Sequence, residues 1–166
     1  MANSSLSGQY TVLMDARGRI SFPAPFRAAI GETLYISPDL YQKILVVRSE
    51  ADYIAFSDHI REEGIKNGDH EDDINEDIRD FCRMTAMVSP DKNGRITVPD
   101  ELIRHAGITS GKAVVIGLVD HAEIWDSEEL AAYEKKREET RALRRALREQ
   151  ERAARYRAHQ KEVESE

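Results

Sequence analysis

The chain has 166 residues, 40% of them hydrophobic and 33% charged, which gives room for one ordinary domain or two small halves beneath a broad solvated surface. A single cysteine, Cys82, excludes an intrachain disulfide framework, and no apolar run approaches the length of a membrane span. The net charge of −7 argues against a nucleic-acid partner only when taken whole, because residues 50–80 hold twelve acidic and three basic side chains while every other segment lies within two charges of neutrality. Met1 to Ser7 has neither the basic nor the apolar region of a secretion signal, so a cytoplasmic location is expected.

In chain order, Val12 to Met14 lead into Asp15-Ala-Arg-Gly-Arg-Ile-Ser-Phe-Pro23, which reads as a β-hairpin running into a helix. Gly18 supplies the positive φ of a tight loop, and Asp15 can accept the loop's own amides. Pro23 stops the strand and opens a short helix, Phe26 to Ile30, for which Gly31 is the expected left-handed cap. Leu34 to Ile36 and Ile44 to Val47 flank a turn at Pro38 and Asp39 and predict a second hairpin. Ser49, with Asp52 three residues on, has capping-box spacing for the helix that follows.

From Ala51 to Met84 the pattern is helical and acidic, with a thin apolar stripe of Ile54, Ile60, Ile65, Ile74, Ile78 and Phe81. Gly64 and Gly68 interrupt it, which predicts two helices joined near Lys66 to His70. Glu71, Asp72, Asp73, Glu76, Asp77 and Asp80 make no calcium-loop pattern, so a solvated face is preferred to a metal site.

The first motif then recurs. Asp91-Lys-Asn-Gly-Arg-Ile-Thr-Val-Pro99 matches it at Asp, Gly, Arg, Ile and Pro, 76 residues on. Asp91 and Gly94 take the loop roles of Asp15 and Gly18, a short helix runs from Glu101 to Ala106, and Gly107 caps it. Val114 to Ile116 and Glu123 to Trp125 repeat the second hairpin, and Ser127-Glu128 starts a helix where Ser49-Glu50 started one. Two hairpins do not make a stable sheet alone, so the halves are expected to interleave into one barrel, an intrachain pseudo-dimer, with Tyr35 and Trp125 as packing residues. Residues 127–166 contain neither Gly nor Pro and predict one long helix with a weak apolar seam at Leu130, Leu143 and Leu147. Between Lys135 and Arg157 it holds ten basic residues against four glutamates.

Arg17 and Arg19 at one tip, and Lys92 and Arg95 at the other, are the candidate contacts for a polyanion. Guanidinium forks on a stiff two-stranded ribbon suit phosphate or a guanine edge in a major groove. The alternative is that Arg19 and Arg95 only pair with Asp15 and Asp91 at the hairpin base.

The two Asp-x-x-Gly-Arg-Ile-x-x-Pro copies, the second extended by Leu102 to Gly107, Val115 to Gly117 and Asp120 to Asp126, resemble the MraZ family of bacterial regulators. The single copy resembles the wider AbrB and MazE class of swapped-hairpin DNA binders. Coverage runs from about Gly8 to Tyr133. The resemblance implies an α+β chain with a mainly β core and two AbrB-like repeats at 8–54 and 84–127. Between them lies an acidic helical connector at 55–83, and a charged C-terminal helix follows at 128–166. It also implies a ring-forming homo-oligomer, nucleoid-associated, that binds double-stranded promoter DNA at short direct repeats upstream of the division and cell-wall gene cluster. The corresponding helix of the family is expected to be more basic than 55–83.

Catalytic readings find no support. The five histidines are scattered, Cys82 has no histidine at a ligand spacing, and there is neither a Walker loop nor a nucleophile elbow. His105 is read as a packing or capping residue, and no catalytic residue, metal or cofactor is expected. Two other readings remain: an antitoxin-like module whose acidic segment wraps a basic toxin, and a scaffold that assembles without recognising DNA.

Overall fold

The structure, a computed structural model, describes residues 5–164, with side chains over 5–160. The first repeat forms β1 (Leu6–Leu13), β2 (Arg19–Ser21), α1 (Ala24–Ile30), β3 (Leu34–Pro38) and β4 (Leu45–Arg48). Two helices follow, α2 (Glu50–Asn67) and α3 (Glu71–Met84). The second repeat gives β5 (Ala86–Val88), β6 (Arg95–Thr97), α4 (Asp100–Ala106), β7 (Lys112–Val119) and β8 (His121–Asp126), before α5 (Ser127–Glu164). The chain divides into two compact units, residues 1–129 and 130–166; α5 runs through the second as far as Glu164, and the last two residues of the expected helix lie outside the described residues.

The first unit is α+β, and its β core is shared by the two repeats as the duplication implied. A six-stranded antiparallel sheet runs β1-β7-β8-β4-β3-β5, and a separate two-stranded ribbon pairs β2 with β6. Exchanging the repeats maps β1–β7 onto β5–β3 and leaves β4–β8 and β2–β6 paired with themselves. The sequence, however, predicts strands that pair across their own Asp-x-x-Gly loop, and they do not. Each loop closes on itself, with Asp15 N–H donating to Arg19 O at 3.0 Å and Asp91 N–H to Arg95 O at 2.8 Å, and the chains then diverge. β1 finds its ladder on β7, and β2 on β6, in the other repeat. Only β3–β4 and β7–β8 are hairpins within a repeat.

The reason lies in burial. Ile20 and Ile96 face one another in the ribbon and are 1% and 0% exposed. They lie in one cluster with Phe22, Phe26, Leu34 and Ile36 from the first repeat and Val98, Leu102 and Val115 from the second. Neither repeat could enclose these side chains alone, and burying one isoleucine or phenylalanine is worth about 1.5–3 kcal/mol. At Gly117 the sheet and β1 come so close that a Cβ would lie 2.7 Å from the backbone of Leu6 and Ser7.

Alternation along β3 sends Leu34 and Ile36 inward and Tyr35 outward, where its ring stacks on Tyr53 of α2 at 4.6 Å. Tyr53 continues onto Phe81 of α3 at 5.3 Å, and Arg48 of β4 sits 4.0 Å over Phe56 while bonding Ser37 Oγ. The acidic α2–α3 pair is therefore fastened by aromatic stacking to the face of the sheet opposite the ribbon. Tyr35 and Trp125 do pack, but outside the main core.

Several local expectations are corrected. Gly107 is a left-handed cap (φ 61°, ψ 32°), whereas Gly31 adopts φ 109°, ψ −165°, and the chain leaves α1 directly towards β3. Gly64 does not interrupt α2; it is buried against Ile74, and Gly68 alone ends the helix. Ile54 and Ile65 are exposed, since α2 is anchored by Tyr53 and Phe56 instead. His105 neither packs in the core nor caps; its ring nitrogen lies 3.0 Å from the Asp39 carbonyl, tying α4 to the β3–β4 turn. Ser49 caps α2 as expected, accepting Asp52 N–H at 3.1 Å, but α5 is capped by Asp126, one residue before the expected start. Asp126 accepts from the amides of Glu128 and Glu129 through one oxygen, and from those of Thr109 and Ser110 and the Ser110 hydroxyl through the other. Burial pushes its pKa up, but these donors outweigh burial and hold it below the ordinary carboxylate value.

Two outcomes follow. Gly117→Ala forces β1 away from β7 and lowers stability by about 1–3 kcal/mol in denaturant unfolding. Asp126→Ala strands several amides and costs about 1–3 kcal/mol at pH 7. Because the folded-state pKa is depressed, the wild-type advantage is present above about pH 4 and fades as pH falls through the lower folded value, so the two unfolding curves converge in acid.

Candidate nucleic-acid interface

The ribbon is built from two three-residue strands whose inward side chain is isoleucine and whose outward ones are polar. Arg19 stands opposite Thr97, and Arg95 opposite Ser21. The two arginines are diagonal neighbours on the outer surface, about 7–8 Å apart at the backbone. The strands are antiparallel, so the two loops sit at opposite ends of the ribbon, each against the end of the other strand. There the loops lock the ladder reciprocally: Val98 N–H donates to Gly18 O at 2.9 Å, and Phe22 N–H to Gly94 O at 3.1 Å.

Each loop is organised by its aspartate. One oxygen of Asp15 accepts the amides of Arg17 and Arg19, both at 2.9 Å, and the other accepts Arg19 Nε at 2.7 Å. Asp91 repeats this with the amides of Asn93 and Arg95, at 2.8 and 3.0 Å, and with Arg95 Nε at 3.0 Å. The backbone amide of Arg19, ahead of its guanidinium, holds Asp15 below the ordinary carboxylate range, and Arg95 does the same for Asp91. The expected pairing of arginine with aspartate at the hairpin base is thus present, but it runs through Nε. The terminal amino groups of both arginines make no hydrogen bond among the described residues, and the side chains remain 33% and 38% exposed. The aspartates position the guanidinium forks and leave their outer edges available.

Gly18 and Gly94 have φ of +72° and +75°, and both are buried. A Cβ on Gly18 would lie 2.7 Å from Ile103, and one on Gly94 would lie 2.1 Å from the Arg27 guanidinium. Arg17 and Lys92 project from the two loops, exposed and without an ion pair among the described residues. Counting Asp15 and Asp91 against Arg17, Arg19, Lys92 and Arg95, the ribbon carries a local excess of two positive charges within an acidic chain.

Sequence reasoning missed Arg27. From α1 its guanidinium donates to Phe22 O and, at 3.1 Å, to Gly94 O, bracing the loop of the other repeat. The signal was available in the alignment of the copies: 76 residues on, the matching position is Ile103, so an apolar position of one short helix is a cation in the other.

A family model described as "MraZ protein, putative antitoxin-like" matches residues 5–74 and again 81–150. The second match extends past Tyr133, where the sequence resemblance was expected to end, and further along α5. Among curated relatives, the "Transcriptional regulator MraZ" of Mycobacterium ulcerans is 33% identical over 80% of this chain and 88% of its own. Those of Mycoplasma mobile and Dictyoglomus thermophilum are each 31% identical, over 73% and 77% of this chain and 79% and 84% of theirs. Two tandem matches over most of the sequence, together with relatives at this identity and coverage, show that the chain belongs to the MraZ family.

Proposed function

We propose that this chain regulates transcription by binding double-stranded DNA through the β2–β6 ribbon. The observation that carries the reading is the pair Arg19 and Arg95, held on one outer surface by Asp15 and Asp91 through Nε, with their side chains 33% and 38% exposed. A two-stranded ribbon fits a major groove about 12 Å wide, and a guanidinium fork matches either guanine O6 and N7 or a phosphate. Arg19 and Arg95 are the readers in this proposal, and Arg17 and Lys92 at the two ends engage phosphates. The name of the relatives, transcriptional regulator, supports the regulatory role. The placement of acidic α2–α3 against the opposite face of the sheet supports it too, since the part of the chain that shares DNA's negative sign lies away from the ribbon.

Residues 8–54 and 84–127 are the two halves of this DNA-binding body, 55–83 an acidic connector and 128–166 a charged helix. One ribbon neutralises few phosphates, so a single chain binds weakly. A homo-oligomeric ring on short direct repeats would gain affinity steeply, because each further contact is intramolecular. A second reading, an antitoxin-like module, is favoured by the acidity of α2–α3. Recovery of a small basic protein bound to the chain from its native host, lost on neutralising those helices, would select it.

Replacing Arg19 or Arg95 with alanine weakens binding to promoter DNA roughly five- to 150-fold per residue in a gel shift, with the oligomer intact. If the double variant shifts the DNA like wild type, the assignment is wrong. Arg17→Ala and Lys92→Ala have smaller effects that do not depend on sequence, each lowering the log–log salt slope by about 0.9.

A further inference from the structure

On α2 and α3 most cations are neutralised in place: Lys66 pairs with Glu63, Arg79 with Glu76 and Arg83 with Asp80, each across three residues. α5 differs. Arg141, Arg144, Arg145 and Arg148 make no ion pair among the described residues, although Glu138 precedes Arg141 by three and Glu149 follows Arg145 by four. All four are exposed and fall within about 100° of one another round the helix, over two turns or about 10 Å. Together they line one cleft of about 280 Å³, and no other residue lines it. Arg137 and Arg152 continue the row by a turn in either direction, where Glu134 and Glu151 dilute the charge.

What the face lacks narrows its ligand. Leu143 and Leu147 lie roughly 100–140° away round the helix, so the cleft has no apolar anchor of the kind that centres a protein interface. Nor does it hold an aromatic ring on which an unstacked base of a single strand could lie. Guanidinium groups alone, closely spaced, match phosphate oxygens that accept their paired N–H groups. Charge points the same way. The ribbon carries an excess of two positive charges in a chain of net −7, whereas Lys135 to Arg157 carries an excess of six. A DNA-binding chain of that net charge needs a local source of attraction, and the larger one is on α5.

We propose that the Arg141, Arg144, Arg145 and Arg148 cluster of α5 is a second DNA site, which holds the phosphate backbone of a duplex without reading bases. Phosphate contacts supply affinity and salt dependence, and base contacts supply specificity. The proposal deepens the DNA reading of the ribbon and rests on it for the identity of the polyanion.

Fluorescence anisotropy of the full chain tests it, on a promoter duplex and a scrambled duplex of equal length, from about 50 to 200 mM salt. The variant carries Arg141→Gln, Arg144→Gln, Arg145→Gln and Arg148→Gln; all four side chains are exposed, and glutamine propagates a helix nearly as well as arginine. Both duplexes are expected to bind roughly tenfold or more weakly at the low-salt end, with the log–log slope lowered by up to about 3.6, or about 0.9 per phosphate released. Discrimination between the duplexes and sedimentation mass stay as in wild type, and lysine at the same four positions keeps most of the slope. A control with Arg61→Gln, Lys66→Gln, Arg79→Gln and Arg83→Gln removes the same charge from α2 and α3 and leaves affinity close to wild type. A wild-type slope in the α5 variant overturns the proposal, as does an equal loss in the control, a loss that accompanies a change in mass, or a loss of discrimination. Tighter binding of single-stranded RNA through the same arginines overturns it too. The two readings fail separately. Arg19→Ala with Arg95→Ala abolishes discrimination and keeps the α5 share of the slope; if that variant discriminates like wild type, the ribbon reading falls while the α5 result stands.

Discussion

The structure depends on two strands of three residues each that have no partner in their own repeat. Ile20 opposite Ile96 is the centre of the arrangement: burying this pair closes the core, and turning it inward sends Arg19 and Arg95 out. A hairpin alone is marginal in water, and a three-residue hairpin more so. Here the missing strand is supplied from 76 residues away in the same chain, so the pairing needs no second molecule and is maintained at any concentration. The carbonyls of Gly18 and Gly94 extend the ladder by one bond at each end, making the loops part of the sheet.

Rigidity at the loops decides what the cations can do. A surface arginine loses rotamer entropy when it meets a partner, at a cost of up to about 2 kcal/mol. Asp15 and Asp91 have already restricted Arg19 and Arg95 through Nε and the backbone, so less remains to be lost on contact. As an exposed ion pair this contact contributes little to stability. In the proposed contact with DNA its role is preorganisation. Arg27 extends the same logic one layer deeper by holding the Gly94 carbonyl.

What the sequence disclosed, and what it hid, divides along the distance over which each interaction acts. The Asp-x-x-Gly loops, the Ser49 cap, the left-handed Gly107 and the break at Gly68 were legible because each is settled within five residues. The exchange of strands was foreseen as interleaving, yet the local reading still drew β1 and β2 as one hairpin, since alternation shows that a strand exists without naming its neighbour. Gly31 misled because a glycine after a helix fits more than one exit path. Arg27 and the Thr109 and Ser110 contacts of Asp126 were overlooked for a shared reason, that their partners are brought near only by the completed fold, whereas Asp126 as the cap of α5 was a local signal passed over for Ser127. The apolar stripe from Ile54 to Phe81 was overdrawn, because aromatic stacking, which has no sequence period, fastens those helices.

The duplication is faithful in its backbone and unfaithful in its side chains. Arg17 occupies the loop position that Asn93 holds in the second copy, Lys92 answers to Ala16, and Arg27 to Ile103. A ribbon with true dyad symmetry would look the same after a half turn and could not tell one end of a binding site from the other. This one has a front and a back. Two copies joined in one chain can differ where two identical subunits cannot, and under the proposed DNA reading such polarity suits targets that all point the same way better than it suits palindromes.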